Sequence, residues 1–258
     1  MTAKANSPIT IVTAGGRNPQ ILINALNARF ANVTVLLEQP ESKTLFLKRR
    51  ARKLGWMTAI GQFVTMVVSK FGKRFTEQRA EDILRDYGVS DALDPTVPIR
   101  GIESINSMAA IEHIRRIDPA VVFLVSCRML TVPTLAAIPC PVINFHAGIN
   151  PQYRGLMGGY WARVRNDEEN FGATVHLVDG GVDTGDILYQ SRIKPSKSDT
   201  LHTYPLLQTA ASTDIVIRAV EDALSGALKP LPANGTSRQW YHPPIWTWFW
   251  NGFTRGIW

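Results

Sequence analysis

The chain has 258 residues, of which 45% are hydrophobic and 19% charged, and this composition excludes a disordered or fibrous protein. Its two cysteines are too few for a disulfide scaffold and lack the spacing of metal ligands, so no metal site is predicted. The net charge of +7 is concentrated at residues 43–75, which hold nine basic residues and no acidic one, so nucleic-acid binding by the whole protein is not predicted.

The predicted elements begin with a β-branched strand from Ile9 to Thr13, a glycine turn and a helix whose apolar positions start at Ile21. A second strand at 33–37 completes a βαβ unit. After an interruption at about 43–75, the pattern predicts helices over 76–87, 107–116, 158–165 and 201–225 and strands over 121–125, 141–144, 173–178 and 185–190. Strands that alternate with helices predict an α/β fold, with a mostly parallel sheet covered on both faces.

Polar side chains follow several of the predicted strands. Asn144 and His146 come at the end of one strand, and Arg128 follows another. Because open α/β sheets bind ligands at the carboxyl ends of their strands, these groups are candidates for a site. A later glycine-rich loop adds Asp179 and Asp183. Each pattern taken alone also suits a surface turn, a helix cap or a buried histidine held by a carbonyl.

Four motifs then occur in a fixed order: Asn144-Phe-His146, Pro151-Gln-Tyr153-Arg154-Gly155, Gly172-Ala-Thr174-Val-His176 and Val182-Asp183-Thr184-Gly185-Asp186. In order, spacing and residue type they resemble the formyltransferases that use 10-formyltetrahydrofolate, which include glycinamide ribonucleotide, methionyl-tRNA and sugar N-formyltransferases. The resemblance covers residues 8–228 and implies a Rossmann-like formyltransferase fold. We therefore expect a catalytic domain at 1–228, with a basic insertion at about 43–75, and a tryptophan-rich extension at 229–258.

The implied reaction is an acyl transfer, in which an amine attacks the formyl carbon, an oxyanion develops and the folate nitrogen leaves with a proton. Such a site needs donors aimed at the oxyanion and a group that moves protons. By the resemblance, Asn144 stabilises the oxyanion, His146 shuttles the proton, and Asp183 tunes His146 towards its charged, donating form. No covalent intermediate is required, and neither cysteine lies in a nucleophile motif.

The resemblance also implies binding residues. Those expected to hold the folate lie after the strand at 121–125, beneath the pterin or in the glycine-rich loop that carries Asp183. They are Arg128, Met129, Leu130, Val142, Asp179, Gly180, Gly181 and Val182. Those expected on the acceptor side lie in the glycine turn, which would face a phosphate, and in the motifs: Gly15, Gly16, Arg17, Asn18, Tyr153, Arg154 and His176. For Tyr153 and Arg154 a packed turn is favoured over substrate contact, whereas His176 suits a structural and a catalytic role equally.

The amine acceptor stays open between three substrates. The stretch from His146 to Ala162 resembles bacterial sugar N-formyltransferases, which favours a nucleotide-linked amino sugar. Glycinamide ribonucleotide formyltransferase shares a glycine-rich phosphate turn, but it has no counterpart of the insertion or the tail. Methionyl-tRNA formyltransferase would use basic charge, but it carries a C-terminal barrel, and about 33 residues after the last core helix are too few for one. A non-catalytic folate-binding or sugar-binding relative is disfavoured because Asn144, His146 and Asp183 are all present.

The insertion and the tail each have a composition that would also suit contact with a membrane. An apolar segment of about 15 residues in the insertion is too short to span a bilayer. We expect its apolar face to pack on the domain, and the alternative is an interfacial helix lying on a membrane. Five of the seven tryptophans fall within residues 240–258, which suits a sheet-edge cover, a homodimer contact or a membrane interface. Without a leader pattern, a cytoplasmic location is expected, with peripheral membrane association as the alternative.

Overall fold

A seven-stranded sheet runs through the centre of the protein in the computed structural model, which describes residues 6–258. Its strands and those of a second, two-stranded sheet are β1 (Ile9–Thr13), β2 (Val33–Glu38), β3 (Ile99–Ile102), β4 (Val121–Leu124), β5 (Val142–His146), β6 (Arg154–Gly155), β7 (Gly172–Leu177), β8 (Ile187–Arg192) and β9 (Gln239–Trp240). The large sheet has the order β3-β2-β1-β4-β5-β7-β8, and β6 pairs with β9 in the small one.

The first five strands of the large sheet are parallel, and β7 and β8 continue it in antiparallel pairing. The predicted α/β fold with a mostly parallel sheet is therefore confirmed. The edge strand β3 was not predicted, because its sequence Ile-Arg-Gly-Ile is short and largely exposed and lacks the apolar run of a buried strand.

The helices cover both faces of this sheet. They are α1 (Arg17–Arg29), α2 (Lys43–Leu54), α3 (Trp56–Gly72), α4 (Glu77–Asp86), α5 (Met108–Ile117), α6 (Val132–Ala136), α7 (Gly158–Val164), α8 (Tyr204–Ala210), α9 (Thr213–Ser225) and α10 (Ile245–Arg255). The expected single helix at 201–225 is wrong, since the chain forms α8 and α9 with a break between them. Ser212 is buried at the break, and its hydroxyl forms a hydrogen bond with the hydroxyl of Ser191 at 2.5 Å. The helix does not continue through this position.

Alternation along the strands divides the core into two apolar layers. Ile11 and Phe123 face α1 and α9, whereas Val12 and Val122 face α5 on the other side. A third cluster beside the sheet contains buried aromatic residues of the motif region together with Trp240, Trp248 and Ile257 of the tail. The tail thus packs against Tyr153 of the second motif and against residues around the motifs. The division into a 1–228 domain and a 229–258 extension stays a prediction.

The basic insertion forms the helices α2 and α3, and α3 does not pack as expected. Its buried positions are small or polar: Ala59, Gly61, Gln62, Thr65 and Ser69. Five of its large apolar side chains are exposed, among them Met57 and Phe71 at 75% each, whereas Val68 is partly buried against the domain. The expectation that the apolar face of this segment packs on the domain is therefore wrong. The reason is steric, because Gly61 lies so close to the ring of Trp246 in α10 that no larger side chain fits there.

Candidate active site

Four polar side chains meet where β5 and β7 lie side by side. Asn144 and His146 are two residues apart on β5, so they point to the same face of the sheet. In the antiparallel pairing of β5 with β7, Asn144 lies directly opposite His176. The amide nitrogen of Asn144 is 3.0 Å from Nε2 of His176 and 3.3 Å from Oδ1 of Asp183. The structure thus brings together the three predicted catalytic residues and His176.

Hydrogen bonds fix the orientation of the His146 ring. Its Nε2 lies 2.7 Å from the backbone carbonyl oxygen of Tyr153, and since a carbonyl only accepts, Nε2 carries a proton. The other ring nitrogen, Nδ1, is 3.6 Å from Oδ2 of Asp183. A Cβ atom on Gly148 would lie 2.4 Å from His146 Nε2, so only glycine permits this contact. The ring therefore presents Nδ1 towards the carboxylate.

Asp183 is held as an anion in the middle of the cluster. It has a left-handed backbone with φ of 50°, and its Oδ2 accepts the backbone N–H of Gly155 at 2.8 Å. Burial alone would raise the pKa of Asp183, but the neighbouring His146 and His176 and the Gly155 N–H outweigh it and hold this pKa well below its usual range. A carboxylate that stays ionised at this point stabilises positive charge on either imidazole ring.

His176 is buried and has its own fixed orientation. Its Nδ1 donates to the carbonyl oxygen of Leu177 at 2.7 Å, which leaves Nε2 as the acceptor for the Asn144 amide. The same Nε2 is 3.4 Å from Oδ1 of Asp183. His176 therefore orients the Asn144 amide, and its ring lies beside the Asp183 carboxylate.

The turn after β5 is built by packing and by the tail of the chain. The ring of Tyr153 is buried, stacks on Trp240 at 5.9 Å and donates its hydroxyl to Asp167. The guanidinium of Arg154 donates to the carbonyl oxygen of Val182. Both residues thus build the turn, and the Tyr153 side chain offers nothing to a substrate. The pairing of β6 with β9 holds the Gly155 N–H where Asp183 accepts it, a contribution of the tail that no sequence motif indicated.

Some of the residues expected to bind the pterin are buried in the core, and others lie at the surface. Leu130 and Val142 are buried in one core layer, whereas Met129 is 56% exposed. The backbone N–H of Arg128 donates to the buried carboxylate of Glu38 at 2.8 Å. The Arg128 guanidinium donates to carbonyl oxygens beyond β2 and β3, so this side chain is committed to the protein.

The loop after β7 is closed by its own side chains. Oδ1 of Asp179 accepts the N–H of Gly181 at 2.9 Å and the hydroxyl of Thr184 at 2.6 Å. Gly180 approaches Val132 at the start of α6. Asp179 therefore shapes the loop that carries Asp183.

A cavity of about 250 Å³ opens at the first glycine turn, two strands away from Asn144 in the sheet order. The predicted residues of the turn all line it: Gly15, Gly16, Arg17 and Asn18. Six more polar residues of its wall were missed by the sequence analysis: Lys73, Thr76, Glu77, Ser126, His202 and Thr203. They come from distant parts of the chain and belong to no motif, so no signal in the sequence could have joined them to the turn.

Among the residues that the structure describes, some charged side chains in the wall of this cavity are paired with an opposite charge, and one is not. The Arg17 guanidinium is paired with Glu77 at 3.0 Å and with Asp91, so carboxylates neutralise it. Lys73 makes no ion pair among residues 6–258, and it supplies positive charge to the wall. Burial lowers the pKa of His202, which favours its neutral form. A positively charged lysine beside the start of α1 suits an anionic group.

Taken together, the cluster contains an amide donor that does not titrate, two oriented imidazoles and a carboxylate kept ionised. This set suits transfer of an acyl group with movement of a proton, and it needs no nucleophile from the protein. Burial raises the pKa of the Cys127 thiol to about 12, which keeps that thiol protonated and unreactive. Among residues 6–258 no group of three or more potential ligands could hold a metal ion.

Comparisons with known proteins agree with this chemistry. Residues 9–220 match the family model described as Formyl transferase. A methionyl-tRNA formyltransferase from Desulfotalea psychrophila (strain LSv54 / DSM 12343) is 30% identical over 158 residues, which are 61% of this chain and 46% of that protein. The chain spans about half the length of the curated relatives that it matches.

Two solved structures share the fold. A sugar N-formyltransferase from Shewanella sp superposes with a TM-score of 0.56 and 15% identity, covering 90% of this chain and 76% of that chain. A glycinamide ribonucleotide transformylase 1 from Symbiobacterium toebii gives a TM-score of 0.56 and 19% identity, covering 89% of this chain and 95% of that chain. The expected Rossmann-like formyltransferase fold is therefore confirmed.

Proposed function

Because this chain belongs to the formyl transferase family, we propose that it transfers a formyl group from 10-formyltetrahydrofolate to the primary amine of a small, phosphate-bearing acceptor. A nucleotide-linked amino sugar is the acceptor class that we favour. The observation that carries the proposal is the convergence of Asn144, His146, His176 and Asp183, with all contacts to Asp183 between 2.8 and 3.6 Å.

The residues of the cluster fit the folate, which supplies an activated formyl group when bound. Asn144 has two amide hydrogens, and turning one of them from His176 to the formyl oxygen places a neutral donor on the developing oxyanion. His146 accepts the proton of the attacking amine at Nδ1, because Nε2 is already committed to the Tyr153 carbonyl. Asp183 stabilises the resulting positive ring, and the same proton then passes to the departing nitrogen of the folate.

The cavity at the glycine turn supports an anionic acceptor. Its volume of about 250 Å³ suits a phosphate group with part of a sugar rather than a whole drug-sized ligand. Lys73 and the N–H groups at the start of α1 provide the complement to a phosphate. With β4 between β1 and β5, and neighbouring strands about 4.8 Å apart, the cavity lies roughly 10 Å from the catalytic cluster. A phosphate and an amine at opposite ends of one small molecule span that distance.

Methionyl-tRNA is a second candidate, favoured by the sequence match to methionyl-tRNA formyltransferases. The tail argues against it, because α10 and β9 pack on the catalytic unit itself.

The test is release of the folate product, followed by absorbance, with purified protein and a panel of amines. The panel contains nucleotide-linked amino sugars, glycinamide ribonucleotide and methionyl-tRNA. We expect turnover of an amino sugar, reduced on the order of a hundredfold or more by Asn144→Ala and unchanged by Asn32→Ala, which alters an exposed asparagine far from the cluster. Turnover of methionyl-tRNA alone would overturn the proposed acceptor, and folate binding without any turnover would overturn the proposed activity.

The role of the cavity has a separate test. Lys73→Gln is expected to raise the KM for the phosphate-bearing acceptor about tenfold while leaving kcat in place, because it removes one charged contact to a bound ground-state group. Lys70→Gln is the matched control, since Lys70 is exposed and does not line the cavity. Equal KM values for the two variants would place the phosphate elsewhere.

A further inference from the structure

The helix α10 repeats the unusual orientation of α3. Its residues Trp246, Phe249, Trp250 and Phe253 occupy one face at helical spacing, and all four are exposed, Trp250 at 69% and Phe253 at 78%. The opposite face is fixed in the protein, where Asn251 donates to the hydroxyl of Tyr160 at 3.0 Å. The aromatic side chains therefore face solvent because the helix is held by its other side.

The two exposed faces belong to helices that are in contact with each other. A Cβ atom on Gly61 of α3 would lie 2.5 Å from the ring of Trp246, so the two helices touch at this point. We call the joint surface the α3–α10 face, and its exposed members are Trp56, Met57, Ile60, Val67, Phe71, Trp246, Phe249, Trp250 and Phe253. An exposed apolar patch of this kind marks an interaction site in a folded protein.

Positive charge surrounds the α3–α10 face. The two segments that form it, residues 43–75 and 223–258, contain twelve basic residues and no acidic residue, while the rest of the chain sums to −5. Exposed members of this basic set flank α3 at both ends, with Lys48 and Arg52 on α2 before it and Lys70 and Arg74 at its end. An apolar stripe with basic flanks is the arrangement of helices that lie in a membrane interface.

The positive charge around the α3–α10 face favours an anionic membrane over a second copy of the chain as its binding partner. Two copies of the α3–α10 face brought together would oppose the like charges of residues 43–75 and 223–258, which contain no acidic residue, and the nearby Glu41 is already paired with Arg49. Anionic lipid headgroups compensate every exposed lysine and arginine, and the interface between headgroups and acyl chains is where tryptophan is enriched. No helix in residues 6–258 is long and apolar enough to cross a membrane.

We propose that the α3–α10 face docks on the surface of an anionic phospholipid bilayer, with its aromatic side chains entering the boundary between headgroups and acyl chains. The cavity at the glycine turn, which the proposed function assigns to the acceptor, borders the C-terminal end of α3. Lys73, which follows α3 directly, lines that cavity, and Nε2 of His202 in its wall donates to the carbonyl oxygen of Ser69 in α3.

The experiment is co-sedimentation of the full chain with vesicles, which does not depend on catalytic activity. We expect binding to vesicles of phosphatidylglycerol and phosphatidylcholine in equal parts, and much weaker binding to phosphatidylcholine alone. Raising the salt from about 0.1 M to about 1 M shortens the screening length from about 10 Å to about 3 Å and is expected to weaken the first binding only. Equal binding to both kinds of vesicle, or to neither, would overturn the proposal.

Two double variants and a matched control locate the surface. Trp250→Ser with Phe253→Ser is expected to weaken binding to the anionic vesicles about a hundredfold. Lys48→Glu with Arg52→Glu is expected to weaken it at least about tenfold. The control, Ile99→Ser with Met108→Ser, alters exposed apolar residues elsewhere and is expected to bind as the native chain does.

Thermal melting checks that each variant is folded. We expect all of them to fold, because the substituted residues are exposed. Sedimentation equilibrium without lipid tests the competing occupant. A dimer that Trp250→Ser with Phe253→Ser dissociates, combined with no binding to anionic vesicles, would assign the α3–α10 face to a second copy of the chain and overturn the proposal. A native monomer that binds anionic vesicles through this face would support it.

Discussion

Replacing Asp183 by asparagine isolates the electrostatic part of the proposed reaction. The change keeps the size of the side chain and an oxygen that can accept the Gly155 N–H, but it removes the charge 3.6 Å from Nδ1 of His146. At an effective dielectric constant of about 20, a unit charge at this distance stabilises a protonated His146 by about 4–5 kcal/mol. If that proton is present in the transition state and absent in the free enzyme, Asp183→Asn lowers kcat on the order of a thousandfold.

The assay is folate-product absorbance at saturating amine, with folate binding measured separately by fluorescence. Asp186→Asn is the matched control, because Asp186 lies in the same loop and is exposed. We expect kcat of this control to stay within about threefold of the native value, as for a surface change away from the chemistry. A loss below tenfold for Asp183→Asn with folate still bound, or an equal loss in both variants, would refute the electrostatic role.

Three further predictions concern the framework of the site. Gly148→Ala places a Cβ atom 2.4 Å from Nε2 of His146 and is expected to lower kcat on the order of a hundredfold, whereas Gly101→Ala, where a Cβ meets nothing within 4 Å, leaves kcat unchanged. Trp240→Ala empties a buried site and is expected to lower the free energy of unfolding by about 3–5 kcal/mol in urea titrations, and a change below 1 kcal/mol would contradict the packing of the tail. Burial lowers the pKa of His242 to about 4, below the value of about 6.5 in an unfolded chain, so its contribution to stability is complete above pH 6.5 and is lost as the pH falls towards 4. The free energy of unfolding should therefore drop by up to about 3 kcal/mol more in the native chain than in His242→Gln between those pH values, and parallel curves would show that His242 does not titrate this way.

The parts of the site that sequence reasoning predicted are those that lie close together along the chain. Asn144 and His146 share a face because they are two residues apart on a strand, and the motif containing His176 follows on the next strand of the sheet. The cavity is different, since Lys73 and His202 are separated by more than a hundred residues and meet only through packing of α3 on the loop before α8. No periodicity or spacing relates two such positions.

The error in α3 has another physical origin. The spacing of its apolar residues correctly predicts a helix with one apolar face, but periodicity does not say which medium that face meets. In this chain the small residue Gly61 and the polar Gln62 and Thr65 fit the narrow space against the domain. The choice is made by the volume available beneath the helix, and this quantity depends on Trp246, almost two hundred residues later.

The pairing of β6 with β9 links catalysis to the order of synthesis. All four side chains of the cluster, from Asn144 to Asp183, leave the ribosome before Gln239 and Trp240 do. A nascent chain that stops short of β9 therefore carries every reacting group, yet Arg154 and Gly155 lack the strand that positions the N–H bound to Asp183. Competence of the enzyme arises late in translation, as the tail closes over the turn.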